Sequence, residues 1–437
     1  MIPNKPDTTP VYNLKVVIHE TGIKPDTVRA WERRYGLPQP QRTAGGHRLY
    51  SDRDIALIKW LMARQQEGMS ISKAVKLYRT LAAEGKDPLV QAETAVSTPT
   101  LPDDATLNDL RQNWINACLQ FDEETAETTL TQAFALYPPL IVCNEILLKG
   151  MADIGNRWYQ NQATVQQEHF ASALAMRRLH ALVAAAPRPT RAGRALIGCP
   201  AGEEHTLPPL LLTLMLRHQG WDVLYLGANV PIARLESTIE TTNPRLVIFT
   251  AQQLHTAASL RETAEFVQQT NIPLAFGGRI FNLIPQLRQH IPGHFLGETI
   301  NESVATAHQL LHTPQPTPTP PPIPESLQAA LAVFQAKQAV IEAAVWQKMR
   351  VDSDFYRHIA NANLFLAQDI LAALQLGNLS WLGTQIKWIE TLLQNYEMPV
   401  SLLKAYLTTY HQVARETLGE NGRPIIEWLA QMVNPAN

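Results

Sequence analysis

Residues 194–227, RALIGCPAGEEHTLPPLLLTLMLRHQGWDVLYLG, decide the fold. RALIGCP is a short apolar run that reads as a buried strand, LPPLLLTLMLRHQ as a helix and WDVLYLG as a second strand. The alternation continues through helix IARLESTIETT, strand RLVIFTA, another helix, strand IPLAFGG, a short helix, strand HFLG and helix ESVATAHQLL. Strands alternating with helices imply a parallel sheet covered on both faces. Glu203 and His205 then fall in the loop after the first strand. That is the carboxyl edge, where such sheets bind ligands. An imidazole held there by a carboxylate can ligate a metal, because the acid orients the ring and raises its basicity. Gly277-Gly278 and residues 227–231 and 297–298 follow later strands and fall at the same edge.

Upstream, residues 107–186 are helical in period, long enough for a four-helix bundle that Pro187-Arg188-Pro189 ends. Within it lies WYQNQATVQQEH, residues 158–169, in which nine residues separate Trp158 from the Glu168-His169 pair.

The sheet segment resembles the cobalamin-binding modules of the methionine synthase type. That family carries an acid-x-His-x-x-Gly motif, then Ser-x-Leu, then Gly-Gly, on a flavodoxin-like sheet. Here Glu203 and His205 match, Pro208 replaces the Gly, Thr250-Ala251-Gln252 stands at Ser-x-Leu, and Gly277-Gly278 matches. The resemblance implies that His205 binds cobalt from below and that Glu203 holds its other ring nitrogen. It also implies that Thr250, Gly277 and Gly278 line the slot for the displaced nucleotide tail. The Trp-x9-Glu-His motif resembles the cap of light-sensing, cobalamin-dependent transcription regulators. By that resemblance Trp158 covers an upper adenosyl group, with Glu168 and His169 in contact with it. Tyr159 departs from the pattern, which has a His after the Trp.

The N-terminal stretch from Tyr12 reads as helix, turn, helix and a short wing. Thr21-Gly22 stops one helix, and Lys24-Pro25-Asp26 starts the next. Residues 45–50, GGHRLY, suit a tight turn followed by a strand. This resembles the MerR-type winged helix-turn-helix over about seventy residues, in which the second helix enters the major groove. Arg29 and Arg33 are then expected at bases or phosphates, and Arg42, His47, Arg48 and Tyr50 at the DNA backbone. Trp31 reads as core. Residues 1–85 hold fourteen Lys/Arg against eight Asp/Glu, so an excess of six positives sits on a chain of net charge −2. A basic module on an acidic remainder is the electrostatic footprint of a phosphate-binding head.

At 437 residues, several domains are expected. Cys118, Cys143 and Cys199 form no paired framework, which points to a reducing cytoplasm. The sequence reads as free of an apolar run of about 18 residues and of an export signal, so no membrane span is expected. The expected architecture is multidomain, α and α/β. It comprises a winged helix-turn-helix head at residues 1–85, a linker at 86–104 and a four-helix cobalamin cap at 105–190. A flavodoxin-like, parallel-sheet cobalamin domain at 191–312 follows, then a polyproline spacer at 313–324 and a helical domain of unassigned role at 325–437. That last domain carries His358, His411 and many aromatics, which suit a bundle core, a dimer surface or a second chromophore. The expected function is non-enzymatic: a cytoplasmic, light-responsive transcriptional regulator, with repression or activation left open. It would bind adenosylcobalamin and double-stranded operator DNA as a dimer or tetramer. Two alternatives stay open: a corrinoid methyl carrier, or a regulator that has lost cobalamin and senses through residues 325–437.

Overall fold

The structure is a computed structural model that describes residues 10–21, 23–42, 46, 48–66, 69–83, 88–89, 104–349 and 356–434. The chain divides into two compact units, residues 1–103 and 104–437.

In the first unit, α1 (Leu14–Thr21) and α2 (Pro25–Tyr35) precede a two-stranded wing of β1 (Gln41–Arg42) and β2 (Arg48–Leu49). Then come α3 (Asp52–Gln66) and α4 (Ile71–Ala83). Pro25 opens α2 with Asp26 in its first turn, Arg33 and Arg34 lie in its last, and Gly36 closes it in the left-handed conformation. The wing strands are antiparallel, with Arg42 opposite Arg48. Val17, Val28, Trp31, Tyr50, Ile58 and Leu61 build the core.

The second unit begins with α5 (Asp104–Leu119), α6 (Glu123–Leu136), α7 (Pro139–Val142), a π-helical turn at Cys143–Leu148, α8 (Lys149–Tyr159) and α9 (Val165–Ala184). Next come β3 (Arg194–Pro200), α10 (Leu207–His218), β4 (Asp222–Val230), α11 (Leu235–Thr242), β5 (Leu246–Thr250) and α12 (Leu254–Gln268). The sheet domain finishes with β6 (Leu274–Gly277), α13 (Arg279–Leu283), β7 (His294–Phe295) and α14 (Ile300–His312). The five strands are parallel in the order β4-β3-β5-β6-β7. Ranked by position in the sheet domain, that order is second-first-third-fourth-fifth, the flavodoxin-like arrangement.

Central β5 is buried along its whole length, as a strand covered on both faces must be. Helix α10 is apolar all round because it is sandwiched. Leu210, Leu211 and Leu214 pack on the α5–α9 cap, while Leu212 and Leu216 pack on the sheet. Pro208 sits in the first turn of α10, where its ring is favoured, so it serves the start of this helix.

Residues 313–324 have no regular structure, and α15 (Glu325–Lys348), α16 (Tyr356–Leu376), α17 (Leu382–Asn395), α18 (Val400–Leu418) and α19 (Arg423–Val433) follow. The structure corrects the expectation of a helical domain held off by a spacer. Its core is continuous with the α12 side of the sheet, because α16 packs along α12. Buried Arg261 of α12 reaches the carbonyl of Leu376, Gln375 meets Glu262, and His290 makes an edge contact with Trp381. Trp381, Tyr406 and Tyr410 are bundle core, while His358 has its side chain outside the described residues. A second correction concerns Ile359–Leu376, which is long and apolar enough to cross a membrane by length and composition. Half of it is buried inside the protein against neighbouring helices, as befits the core helix of a bundle.

Candidate functional site

The parallel strands bring three loops to one edge. Glu203 and His205 follow β3, Thr250 and Gln252 end and follow β5, and Gly277-Gly278 end and follow β6. Glu203 is only 1% exposed, and both of its oxygens are engaged. Oε1 accepts from the His205 backbone N–H at 2.9 Å and from His205 Nδ1 at 2.6 Å. Oε2 accepts from the Gln252 backbone N–H at 2.6 Å and from Thr256 Oγ1 at 2.7 Å. Burial pushes this carboxyl up, but the His205, Thr256 and Gln252 bonds outweigh it and hold it below its ordinary value. His205 is shifted the opposite way. Its hydrogen bond to Glu203 raises it against the pull of burial, and Glu168 adds to the rise. With Nδ1 occupied and the side chain 57% exposed, Nε2 is the nitrogen left for a ligand.

The loops are stitched together beyond the acid. The Gln252 side-chain oxygen accepts from the Arg279 backbone N–H at 2.8 Å, while its buried amide nitrogen has no partner among the described residues. Asn229, in the left-handed conformation at the end of β4, accepts from the Gly202 N–H at 2.8 Å and donates its own N–H to the Glu203 carbonyl. Gly278 has φ +123°, and a Cβ there would lie 2.0 Å from the Ala251 carbonyl oxygen. Its missing side chain therefore makes room for this chain's own β5 loop. A Cβ on Gly277 would meet only the Leu296 side chain, at 3.7 Å. Thr250 is buried, with its hydroxyl 3.8 Å from Cys199 Sγ. Burial pushes the Cys199 thiol up to about 12, so it stays a protonated apolar filler.

The cap supplies the other motif. Thr164 caps α9 through a reciprocal box with Gln167, and Glu168 follows in the first turn. Trp158 ends α8, so the Trp-x9-Glu-His spacing spans one helix end, a turn and the next helix start. Glu168 lies near enough to His205 to influence its charge, whereas the His169 side chain is 75% exposed and pairs loosely with Glu168. Tyr159 stacks on Trp388 of α17.

In the head, Arg29, Arg33 and Arg42 are exposed, with Arg29 loosely paired to Asp26. The Nε of Arg48 donates to Glu32 at 2.8 Å, which ties the wing to α2. Tyr50 is corrected: its ring is fully buried in the head core and its backbone pairs with Tyr12, so it does not face the DNA backbone. His47 lies outside the described residues. Thr256 and Asn229 escaped the sequence reading. Their only signal is a short polar side chain in the first turn of a helix or at a strand end.

A helix-turn-helix head and an edge-facing, acid-locked His define the class: a DNA-binding regulator with a ligand-binding body. Family models agree. Residues 12–81 match the MerR HTH family regulatory protein model, and residues 110–182 and 193–305 each match a B12 binding domain model. The chain is 33% identical over 270 residues to the HTH-type transcriptional repressor CarH of Myxococcus xanthus, covering 61% of this chain and 88% of that one. It is 30% identical over 237 residues to CarA of the same organism, covering 54% and 74%. The monomethylamine corrinoid protein of Methanosarcina barkeri overlaps 48% of this chain and all of its own, at 18% identity and a TM-score of 0.40. The chain belongs to the CarH-type family of MerR regulators with B12-binding domains, and it binds cobalamin and DNA. The donor set fits that cofactor. A single imidazole, fixed through Nδ1 by a buried carboxylate, suits a metal whose remaining ligands come from a macrocycle.

Proposed function

We propose that this protein is a transcription repressor whose cobalamin state, set by light, governs its assembly and thereby its hold on operator DNA. One observation carries the reading: a MerR-type head shares a chain with His205, locked by buried Glu203 at the sheet edge and facing the charge of cap residue Glu168. In this reading His205 would hold the cobalt through Nε2, and Glu203 would fix its tautomer. Thr250 and Gly277 line the nucleotide-tail slot, and Gly278 keeps its loops closed. Trp158 covers the upper face with Glu168 and His169 beside it. Adenosylcobalamin supplies an upper cobalt–carbon bond that light can cleave. Trp158 packs differently with and without the upper group, which biases a two-state cap. Arg29, Arg33 and Arg42 meet bases or phosphates, Arg48 acts through its brace to Glu32, and His47 completes the wing contact. The repressor names of the Myxococcus relatives support the sign of the output.

Size-exclusion chromatography with visible spectra tests this on protein mixed with adenosylcobalamin, in the dark and after green light. Co-elution of cobalamin as a dimer or tetramer in the dark, with a smaller mass after illumination, is the expected result. Bound cobalamin with an unchanged mass would remove light-driven assembly, and no bound cobalamin would remove the site assignment.

A further inference from the structure

The C-terminal bundle holds both walls of the candidate site at once. On one side α16 packs along α12, the helix that presents Thr256 to Glu203. On the other side α17 and the residue after it grip the last turn of α8. Trp388 stacks on Tyr159 with ring centroids 5.2 Å apart and planes at 17°, and lies 6.3 Å from the Trp158 ring. Tyr159 Oη donates to the Trp388 carbonyl at 3.1 Å. In return, Asn395 Nδ2 donates to the Tyr159 carbonyl at 2.8 Å and Tyr396 Oη to the Trp158 carbonyl at 3.0 Å. These two carbonyls belong to the end of a helix, where carbonyl groups lack intrahelical partners; that of Trp158 also accepts from the Asn161 N–H at 3.0 Å, so Tyr396 adds a second donor there. The backbone and the rings of Trp158 and Tyr159 are thus both set by a segment more than two hundred residues downstream.

We propose that Trp388 and Tyr396 are positioning residues for Trp158, so that the C-terminal bundle sets which upper cobalamin ligand the cap accepts. The inference rests on the reading of Trp158 as the upper-face residue. A bulky upper group must share space with the Trp158 ring, and that ring cannot shift without disturbing its packing on Trp388. A change of upper ligand is therefore transmitted to α17, and through α16 to the α12 face of the sheet.

The test compares full-length wild type, Trp388→Ala, Trp388→Phe and Tyr396→Phe, with Trp158→Ala as the reference. Each is titrated with adenosylcobalamin and methylcobalamin while the visible spectrum reports His ligation of cobalt. Trp388→Ala is expected to lower the adenosyl-over-methyl affinity ratio about tenfold, the scale of a lost aromatic pair. Trp388→Phe should recover most of it, and Tyr396→Phe should lower it a few-fold. The His-ligated spectrum should persist in all of them. A ratio that moves in Trp158→Ala but not in Trp388→Ala overturns the positioning role and leaves the upper-face reading standing. A ratio that moves in neither overturns both. Hydrogen exchange on wild type guards against a misfolded variant. Amides of α17 should gain protection with adenosylcobalamin over methylcobalamin, and identical exchange in the two complexes overturns the proposal.

Discussion

Glu203 carries more of the site than its place in the sequence announces. His205 stands two positions away, so their pairing at a strand end was legible. Thr256, which fills the other carboxylate oxygen, lies fifty-three residues on and meets Glu203 only because β5 and α12 return to the same edge. Tyr50 was misread for a related reason. It follows Arg48 and Leu49 in the wing, but its backbone bridges to Tyr12 and its ring turns into the core. The paired shifts of Glu203 and His205 give a pH signature. Glu203 lies below its ordinary 4.5, so its contribution to apo stability is present above 4.5 and is lost as pH falls through the lowered value. His205 lies above its ordinary 6.5, so its contribution is full below 6.5 and fades as pH rises through the raised value. If His205 ligates cobalt as proposed, that ligation would run against this second slope, because Nε2 must be free of its proton. His-ligated cobalamin spectra should therefore strengthen as pH rises through the raised His205 value, above 6.5, while the pair's share of apo stability declines over the same rise. Glu203→Gln should weaken cobalamin binding by about 10–100-fold, since the amide cannot accept from all four donors. A spectrum flat with pH would remove Nε2 as the ligand, and full affinity in Glu203→Gln would remove the carboxylate's part in fixing it.

At the scale of elements, strands and helices of the sheet were legible because their periods are clean and their ends are marked by Pro, Gly and Asn. Hidden in the sequence were the reasons for individual small residues. Gly150 has no turn role; it lets α8 approach α5, since a Cβ would sit 2.8 Å from the Trp114 ring. Nor does any pattern mark the π-helical turn before α8, because its wider hydrogen bonding answers to packing rather than to composition. Gly277 and Gly278 read as one motif, yet the structure gives them different work, and that difference is testable. Gly278→Ala strains a positive φ and drives a Cβ into the Ala251 carbonyl, which should cost about 2–4 kcal/mol in urea unfolding. Gly277→Ala meets only the flexible Leu296 side chain and should cost less than about 1 kcal/mol. If the tail slot runs past β6, Gly277→Ala should still lose cobalamin affinity. Equal destabilisation by the two substitutions would refute the division of labour.

The whole molecule joins a basic head to an acidic remainder, and that imbalance makes assembly measurable through DNA. Residues 1–85 carry an excess of six positives, so with the chain at −2 the other residues carry −8. That much was legible from composition. The continuous core between α12 and the C-terminal bundle was not, because amphipathic helices state that a face is buried without stating against what. The remainder is acidic on balance, so the attraction for phosphates is expected to concentrate in the heads, and its salt dependence then counts how many heads are engaged. Each neutralised phosphate contributes about −0.9 to the slope of log affinity against log salt. With Arg29, Arg33 and Arg42 exposed on one head, a single head should give a slope of about −3, and two engaged heads about twice that. Fluorescence anisotropy on an operator duplex between roughly 50 and 200 mM salt reads this directly. Protein loaded with adenosylcobalamin in the dark should show the steeper slope, and the same sample after green light the shallower one. Arg33→Ala should flatten each slope by about one unit per engaged head while sparing cobalamin binding. Identical slopes in dark and light, alongside a change in affinity, would mean that the switch reorients a fixed set of heads instead of changing their number.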